Sequence, residues 1–258
     1  MKKLVVQLVT WNGGKYIAPL LTSLKNQTYQ DWELLILDNA SSDNTREELE
    51  KALVGAQFSY EKILLDTNTG FAGGHNRLFQ AFDSEYVLLL NQDMYLMPDC
   101  FEKMVAYLDE QITVAALSPR LMKWDFAESV HALEKGFTNT VDSLGLLVYR
   151  NRRVVDLFPQ EDWSELKEQL HVGCEHDHEA ATDPEEINDM EVFGVSGAFP
   201  MYRRSAMKQI AFADGTFFDE YYHSYKEDVD VAFRLRSAGY DAAVLLDVIA
   251  YQDRKSVV

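Results

Sequence analysis

The chain has 258 residues, 47% of them hydrophobic and 26% charged, enough to bury a substantial core. A formal charge of −18 and a pI near 4.6 argue against a nucleic-acid backbone or an anionic leaflet as partner, since both are bound through Lys and Arg. No apolar run approaches the roughly 20 residues that span a bilayer, and two cysteines, Cys100 and Cys174, make no disulfide framework, so a cytoplasmic protein is expected.

The start, Met1 to Val9, superficially resembles a signal peptide, but its apolar segment is short and runs into Thr10-Trp11-Asn12-Gly13-Gly14 instead of a small-residue cleavage site. A first strand over 3–9 is the better reading, with Asn12-Gly13-Gly14 as a turn. The spacing of Ile17, Leu20, Leu21 and Leu24 predicts a helix over 15–27. A second strand follows at 33–37. Ser41-Ser42-Asp43-Asn44 is rich in N-cap residues and opens a helix at Thr45. A short third strand is expected at 63–65, a helix around 75–83 after the glycines of 70–74, and a fourth strand at 86–90. Strand and helix alternate, which predicts a parallel, doubly wound sheet over the first hundred residues. The second half is less regular, with strands expected at 112–117, at 192–202 broken by glycines, and at 242–246, and a helix over 226–238. Residues 156–191 hold 13 acidic side chains against Lys167 alone and read as a solvated helix and loop.

Three acidic sites recur in order, each expected at or just past a strand end: Asp38-Asn39, then Asn91-Gln92-Asp93, then Glu227-Asp228-Val229-Asp230. In open α/β sheets, ligands bind beyond the carboxyl ends of the strands. Asn91 and Asp93 are two apart and share a face if extended, and one or two carboxylates with phosphate oxygens suit Mg²⁺ or Mn²⁺; capping of a following helix is the alternative for Asp93. Gly70-Phe71-Ala72-Gly73-Gly74 is neither a P-loop nor a dinucleotide fingerprint, yet its glycines would let a ligand approach the backbone. Glu227, Asp228 and Asp230 in a helix's first turn suit its dipole; a carboxylate kept ionised there could also deprotonate an acceptor hydroxyl. Cys174-Glu175-His176-Asp177-His178-Glu179 invites a zinc reading, but no second cluster supports it, and no Gly-x-Ser-x-Gly or His-Glu-x-x-His motif supports a hydrolase.

Taken in order, Val9 to Gly14, Ser23 to Glu33, Leu37 to Asp43, Asn68 to Asn76, Leu90 to Asp93, Gly197 to Arg204 and Phe218 to Asp230 resemble the inverting GT-A glycosyltransferases of family 2, over nearly the whole chain. The Asn-Thr-Gly-Phe-Ala-Gly-Gly stretch and the Asn-x-Asp motif look most like rhamnosyltransferases. The resemblance implies an α/β GT-A fold, the nucleotide-diphospho-sugar transferase fold: a mainly parallel, doubly wound sheet with helices on both faces. It implies one domain, with a nucleotide-sugar-binding half over 1–100 and an acceptor-binding half over 101–258. By the same resemblance, Thr10, Trp11 and Asn39 line the base pocket with Asp38 beside them, and Asn76 lies near the diphosphate. Asp93 holds a divalent cation, Mg²⁺ or Mn²⁺, with Asn91 supporting that loop. Asp228 is the base and Glu227 shapes acceptor binding.

The implied reaction moves a sugar from a dTDP- or UDP-sugar donor, dTDP-rhamnose among the candidates, to a saccharide or lipid-linked saccharide with inversion, in cell-surface polysaccharide synthesis. The partners are then donor and acceptor, without nucleic acid or transmembrane segment, at a cytoplasmic location that allows peripheral contact with the inner face of the membrane. Many relatives carry Tyr-His after the last strand where this chain has Tyr251-Gln252, and most continue beyond the position of Val258. Gln is a poorer metal ligand than imidazole. Two alternatives stay open: a nucleotide-sugar-binding module with little activity, and a nucleotidyltransferase, although the glycine segment lacks the basic residue the latter needs.

Overall fold

The computed structural model describes residues 2–130, 132–174, 188–223 and 226–254. Four parallel strands make half of the main sheet, in the order β3 (Ser59–Leu64), β2 (Trp32–Asp38), β1 (Leu4–Thr10) and β4 (Tyr86–Leu90). β1 lies between β2 and β4 and pairs with both in parallel, as the strand expected at 3–9. Its residues do not alternate between buried and exposed because both faces are covered. Leu4, Val6 and Leu8 point to one face and join the packing of α1 (Gly14–Lys25), α2 (Thr45–Leu53) and α4 (Cys100–Glu110). Val5 points to the other and meets Leu78 of α3 (Gly70–Ala81). One strand therefore feeds two cores through its period of two.

The other half of the sheet is mixed. β11 (Met201–Arg203) is antiparallel and sits between β4 and β6 (Val114–Trp124); β12 (Asp241–Gln252) runs parallel to β6, and β10 (Asp189–Val192) closes the edge antiparallel to β12. The segment 192–202, expected as one interrupted strand, is two strands in different places, joined by the loop 193–200. β6 runs well past the expected end at Leu117, straight through Ser118-Pro119. Pro119 has no amide hydrogen for the ladder, and the partner answers with a register shift between Leu245 and Ile249.

Beyond that shift, β12 also pairs with the short β5 (Met94–Leu96), while β7 (Phe137–Ser143) pairs with β6. β8 (Leu146–Val148) and β9 (Val154–Asp156) form a separate hairpin. α5 (Trp163–Cys174), α6 (Arg204–Ile210) and α7 (Glu227–Ser237) complete the chain, with Leu166, Met207, Val231 and Leu235 packed on the same side as Val87 and Leu89. Cys100 is a free, buried thiol. Part of 156–191 is the helix α5, and the zinc reading of Cys174 to Glu179 falls on residues whose side chains lie outside the described part.

The glycine segment differs most from expectation. The helix begins at Gly70, not near residue 75, so the glycines form its first turns. Gly70 has φ +74°, and a Cβ there would lie 2.6 Å from the His223 carbonyl oxygen. The close approach that glycine permits is made by this protein's own backbone: Phe71 N donates to His223 O at 2.9 Å and Ala72 N at 3.4 Å.

Candidate active site

The ends of β1 and β2 are knitted together by short polar contacts. Asn39 N donates to Thr10 O at 2.8 Å, and Thr10 Oγ1 donates to Asp38 Oδ1 at 3.4 Å. Asp43 Oδ2 accepts from Gly14 N at 3.2 Å and its Oδ1 from Thr45 N at 3.0 Å, so one carboxylate caps the starts of both α1 and α2. Burial pushes that carboxyl up, but the bonds from Thr45 and Gly14 prevail and hold it below the ordinary carboxylate range.

Asp38 is buried and engaged: Arg46 Nε sits 2.6 Å from its Oδ2, and Ser41 N donates to the same atom at 3.2 Å. Arg46 was not foreseen; it lies eight residues on, in the first turn of α2, and nothing in its local pattern marks it. Asn39 donates to Gly70 O at 3.0 Å and accepts from Thr69 N at 2.8 Å, joining this corner to the start of α3. Trp11, by contrast, keeps 43% of its surface exposed, an open aromatic face at the strand ends. Among the residues expected in a base pocket, it is the one that offers a stacking surface.

The second acidic site joins the first through Gln92. Its Oε1 accepts from Trp11 N and its Nε2 donates to Trp11 O, both at 3.0 Å. A side chain at Gly13 would collide with the Gln92 carboxamide, so the glycine turn after β1 makes room for this clamp. Asp93 is buried at the turn into β5, and its carbonyl oxygen accepts from Asp253 N at 3.1 Å. Asp253, itself buried, accepts from Tyr16 Oη at 2.8 Å.

The third site sits at the start of α7, after a loop and the single turn Glu220–Tyr222, and not at a strand end as expected. Gly197 N donates to Asp228 Oδ2 at 3.1 Å and Val229 N to Asp228 Oδ1 at 2.8 Å. Its neighbour Ala198 accepts from Asn91 N at 3.1 Å. Two adjacent residues, Gly197 and Ala198, thus bridge the Asn91–Asp93 turn to Asp228. Both carboxyls of the helix start are raised. Burial pushes Glu227 up to about 7, and its Oε2 is enclosed without a hydrogen-bond partner among the described residues. Burial also raises Asp228, against the opposing bonds from Gly197 and Val229. The dipole argument foresaw the opposite direction; at this helix start desolvation outweighs it.

Asn76, expected near the diphosphate, has its carboxamide engaged within the protein. It donates to Phe218 O at 2.9 Å and Glu220 Oε1 at 3.1 Å, and accepts from Phe217 N at 3.1 Å and Phe218 N at 2.9 Å. Every hydrogen-bonding position of the carboxamide is used inside the protein. It fastens the strap 217–220 to α3.

A divalent cation fits the donor set beside Asp93. Gln252 faces Met94 across β5 and β12, and its Oε1 is buried without a hydrogen-bond partner among the described residues, next in the chain to Asp253, whose amide bonds Asp93. Oxygen ligands of this kind suit Mg²⁺ or Mn²⁺. Among the described residues, no group of three or more His, Cys, Asp or Glu could enclose a metal alone. Substrate phosphates would have to complete the shell, the usual arrangement for Mg²⁺.

The family model described as "Glycosyl transferase family 2" matches residues 6–176. An N-acetylglucosaminyl-diphospho-decaprenol L-rhamnosyltransferase of Mycobacterium tuberculosis is 24% identical over 253 residues, which is 92% of this chain and 71% of that protein. The poly(ribitol-phosphate) β-N-acetylglucosaminyltransferase TarS of Staphylococcus aureus is 30% identical over 113 residues, 43% of this chain and only 19% of TarS. The crystal structure of TarS residues 1–349 with UDP-GlcNAc superposes with a TM-score of 0.63 at 18% identity, covering 99% of this chain and 60% of that one. A Pyrobaculum calidifontis mannosyltransferase in complex with GDP-Man and Mn²⁺ gives 0.63 at 16% identity, covering 99% of this chain and 58% of that one. These likenesses bear out the expected GT-A fold. Glu227, Asp228 and Gln252 lie beyond the stretch the family model matches.

Proposed function

Because the chain belongs to glycosyl transferase family 2, we propose that it moves a sugar from a nucleoside-diphosphate donor to a hydroxyl of a saccharide or lipid-linked saccharide, with inversion, in the building of a cell-surface polysaccharide. A dTDP- or UDP-sugar is the donor class, dTDP-rhamnose among its members. The observation that carries this reading is the bridge from Asn91 through Ala198 and Gly197 to Asp228, with bonds of 3.1 Å at each end. Two residues, Gly197 and Ala198, separate the Asp228 carboxylate from the turn that bears Asp93, which supports its reading as the base.

In this reading Trp11 stacks on the base, and Thr10, Asp38 and Asn39 hold the loop that presents it. Residues 1–100 form the donor half and 101–258 the acceptor half. Asp93 anchors a Mg²⁺ or Mn²⁺ ion, with Gln252 as an auxiliary oxygen; when bound, the ion offsets charge on the departing diphosphate. Asp228 takes the proton from the acceptor hydroxyl as it attacks the anomeric carbon, and the nucleoside diphosphate leaves from the opposite face. Glu227, its carboxyl raised to about 7 by burial, offers the acceptor a hydrogen bond in its protonated form. Two of the relatives print a poly(ribitol-phosphate) and an N-acetylglucosaminyl-diphospho-decaprenol in their names, which supports the acceptor class; the reading places the reaction in the cytoplasm, at the membrane's inner face. No helix among the described residues is long and apolar enough to cross a membrane.

A screen of nucleotide sugars with Mn²⁺ tests the reading. A donor at 100 times its Kd stabilises the native state by about 2.7 kcal/mol, a rise in Tm of about 5–10 °C for a chain of this length. Asp93→Ala should keep the fold and lose the Mn²⁺-dependent part of that rise. Release of a nucleoside diphosphate on turnover identifies a glycosyltransferase, pyrophosphate a nucleotidyltransferase, and binding without turnover a carrier module. If no nucleotide sugar shifts Tm, the proposal fails.

A further inference from the structure

We propose that Arg254 grips the diphosphate of the departing nucleotide, on a pedestal formed by Asp142 and Asp156; this deepens the glycosyl-transfer reading and rests on it.

A departing nucleoside diphosphate carries negative charge that the site must meet. The floor around Asp93 is itself acidic, with Asp253 across the turn and Asp142 close behind. The amides at the start of α3 cannot serve, since Phe71 N and Ala72 N already donate to His223 O. Arg46 is held at the end of β2, bonded to Asp38 and to Leu65 O at 2.6 and 2.7 Å, with β1 between it and the turn after β4.

Arg254 is placed differently. It follows Asp253, whose amide bonds the Asp93 carbonyl, so its backbone starts beside the cation turn. Its Nε forms an ion pair with Asp142 Oδ2 at 2.8 Å, and its Nη1 donates to Asp156 Oδ2 at 3.3 Å. Those carboxylates come from β7 and β9, and β7 also meets the end of the chain through Phe137, whose ring stacks on Tyr251 at 4.2 Å. The electrostatic neighbourhood locates the group further. After burial, the charges of Asp156 and Asp93 help push the Asp142 carboxyl up to about 6, with Arg254 opposing them. Asp156 in turn contributes to the rise at Asp228. The guanidinium therefore belongs to an acidic neighbourhood whose charges are felt at both the cation turn and the base.

Asp142 is 1% exposed while Arg254 keeps 41% of its side chain open. The buried carboxylate fixes one edge of the fork and the open part remains for a ligand. A planar guanidinium has five N–H donors and matches phosphate oxygens two at a time, so engaging Nε and Nη1 leaves donors to spare. The longer contact to Asp156 is the one a phosphate oxygen would replace.

The test uses the full chain with Mn²⁺ and two sets of probes, UDP, dTDP and GDP against uridine, thymidine and guanosine. Binding is measured by calorimetry, or by ligand-observed NMR where it is weak. Arg254→Gln should lower affinity for the preferred diphosphate about 10–100-fold, the range of charged hydrogen bonds, and leave nucleoside affinity unchanged. Arg254→Lys should fall between. Because Arg254→Gln strands Asp142, the double variant Asp142→Asn/Arg254→Gln serves as the second form, and it should show the same selective loss with a native Tm. Unchanged diphosphate affinity in the folded double variant overturns the proposal, as does an equal loss for nucleosides and diphosphates, which marks a purely structural ion pair. If the wild type binds none of the nucleotides, the glycosyl-transfer reading fails and this inference with it.

Discussion

Two adjacent carboxyls at the start of α7 have different surroundings, and the difference assigns their work. Asp228 receives main-chain N–H groups on both oxygens, while Glu227 has an enclosed oxygen with no partner among the described residues. Asp228→Asn keeps the shape and removes the basicity, so turnover should drop by about 10²–10⁴-fold with donor affinity unchanged. Glu227→Gln should mainly raise the acceptor KM. Steady-state kinetics on both variants decide it, and turnover that survives in the first but collapses in the second reverses the roles. Glu227 also makes a pH prediction. Its carboxyl is raised from 4.5 to about 7, so the folded state holds a proton that the unfolded chain has released between those values. Stability from this group is complete below pH 4.5 and lost as pH rises through 7. Glu227→Gln should match the wild type in acid and exceed it above pH 7 by up to about 3 kcal/mol. Denaturant titrations at several pH values measure this, and comparison with the wild type cancels the raised Asp142.

At the scale of elements, the strap 217–220 and α3 behave as one unit. Asn76 supplies four hydrogen bonds to the strap, and Gly70 seats His223 against the helix start. Asn76→Ala leaves buried main-chain groups of Phe217 and Phe218 without partners. The expected cost is about 3 kcal/mol, a fall in Tm of about 6–12 °C. Nucleotide affinity of the folded variant should stay near wild type. A selective loss of diphosphate binding without a change in Tm would restore the role that the sequence suggested for this residue. The α3 amides illustrate the same lesson, because a glycine-rich helix start resembles an anion cradle until the loop that fills it is in view.

For the whole molecule, the net charge of −18 sets the solution behaviour. Crowded carboxylates repel one another in the compact state, and ions screen them over about 10 Å at 0.1 M salt. Raising NaCl from about 20 mM to about 300 mM should therefore raise Tm by a few degrees. A flat or falling Tm shows that ion pairs such as Arg254 with Asp142 outweigh the repulsion.

The sequence by itself determined the first half of the fold. Strands 86–90 and 33–37 are continuous apolar runs with turn residues at their ends, and such local signals need no distant partner to be read. It also determined where Thr10, Asp38, Asn39, Asn91 and Asp93 stand, because strand ends carry their own pattern. The second half was decided by tertiary structure. β6 continues through Ser118-Pro119 only because β12 shifts register opposite it, and the segment 192–202 divides because β11 finds a slot between β4 and β6. The same holds for the clamp of Gln92 on Trp11, the pairing of Arg46 with Asp38, and the meeting of Arg254 with Asp142 and Asp156. Each joins residues far apart in the chain whose local patterns carry no mark of the partner. Apolar periodicity is written in neighbouring residues and can be read there; a polar contact across the fold exists only once packing has brought its two halves together.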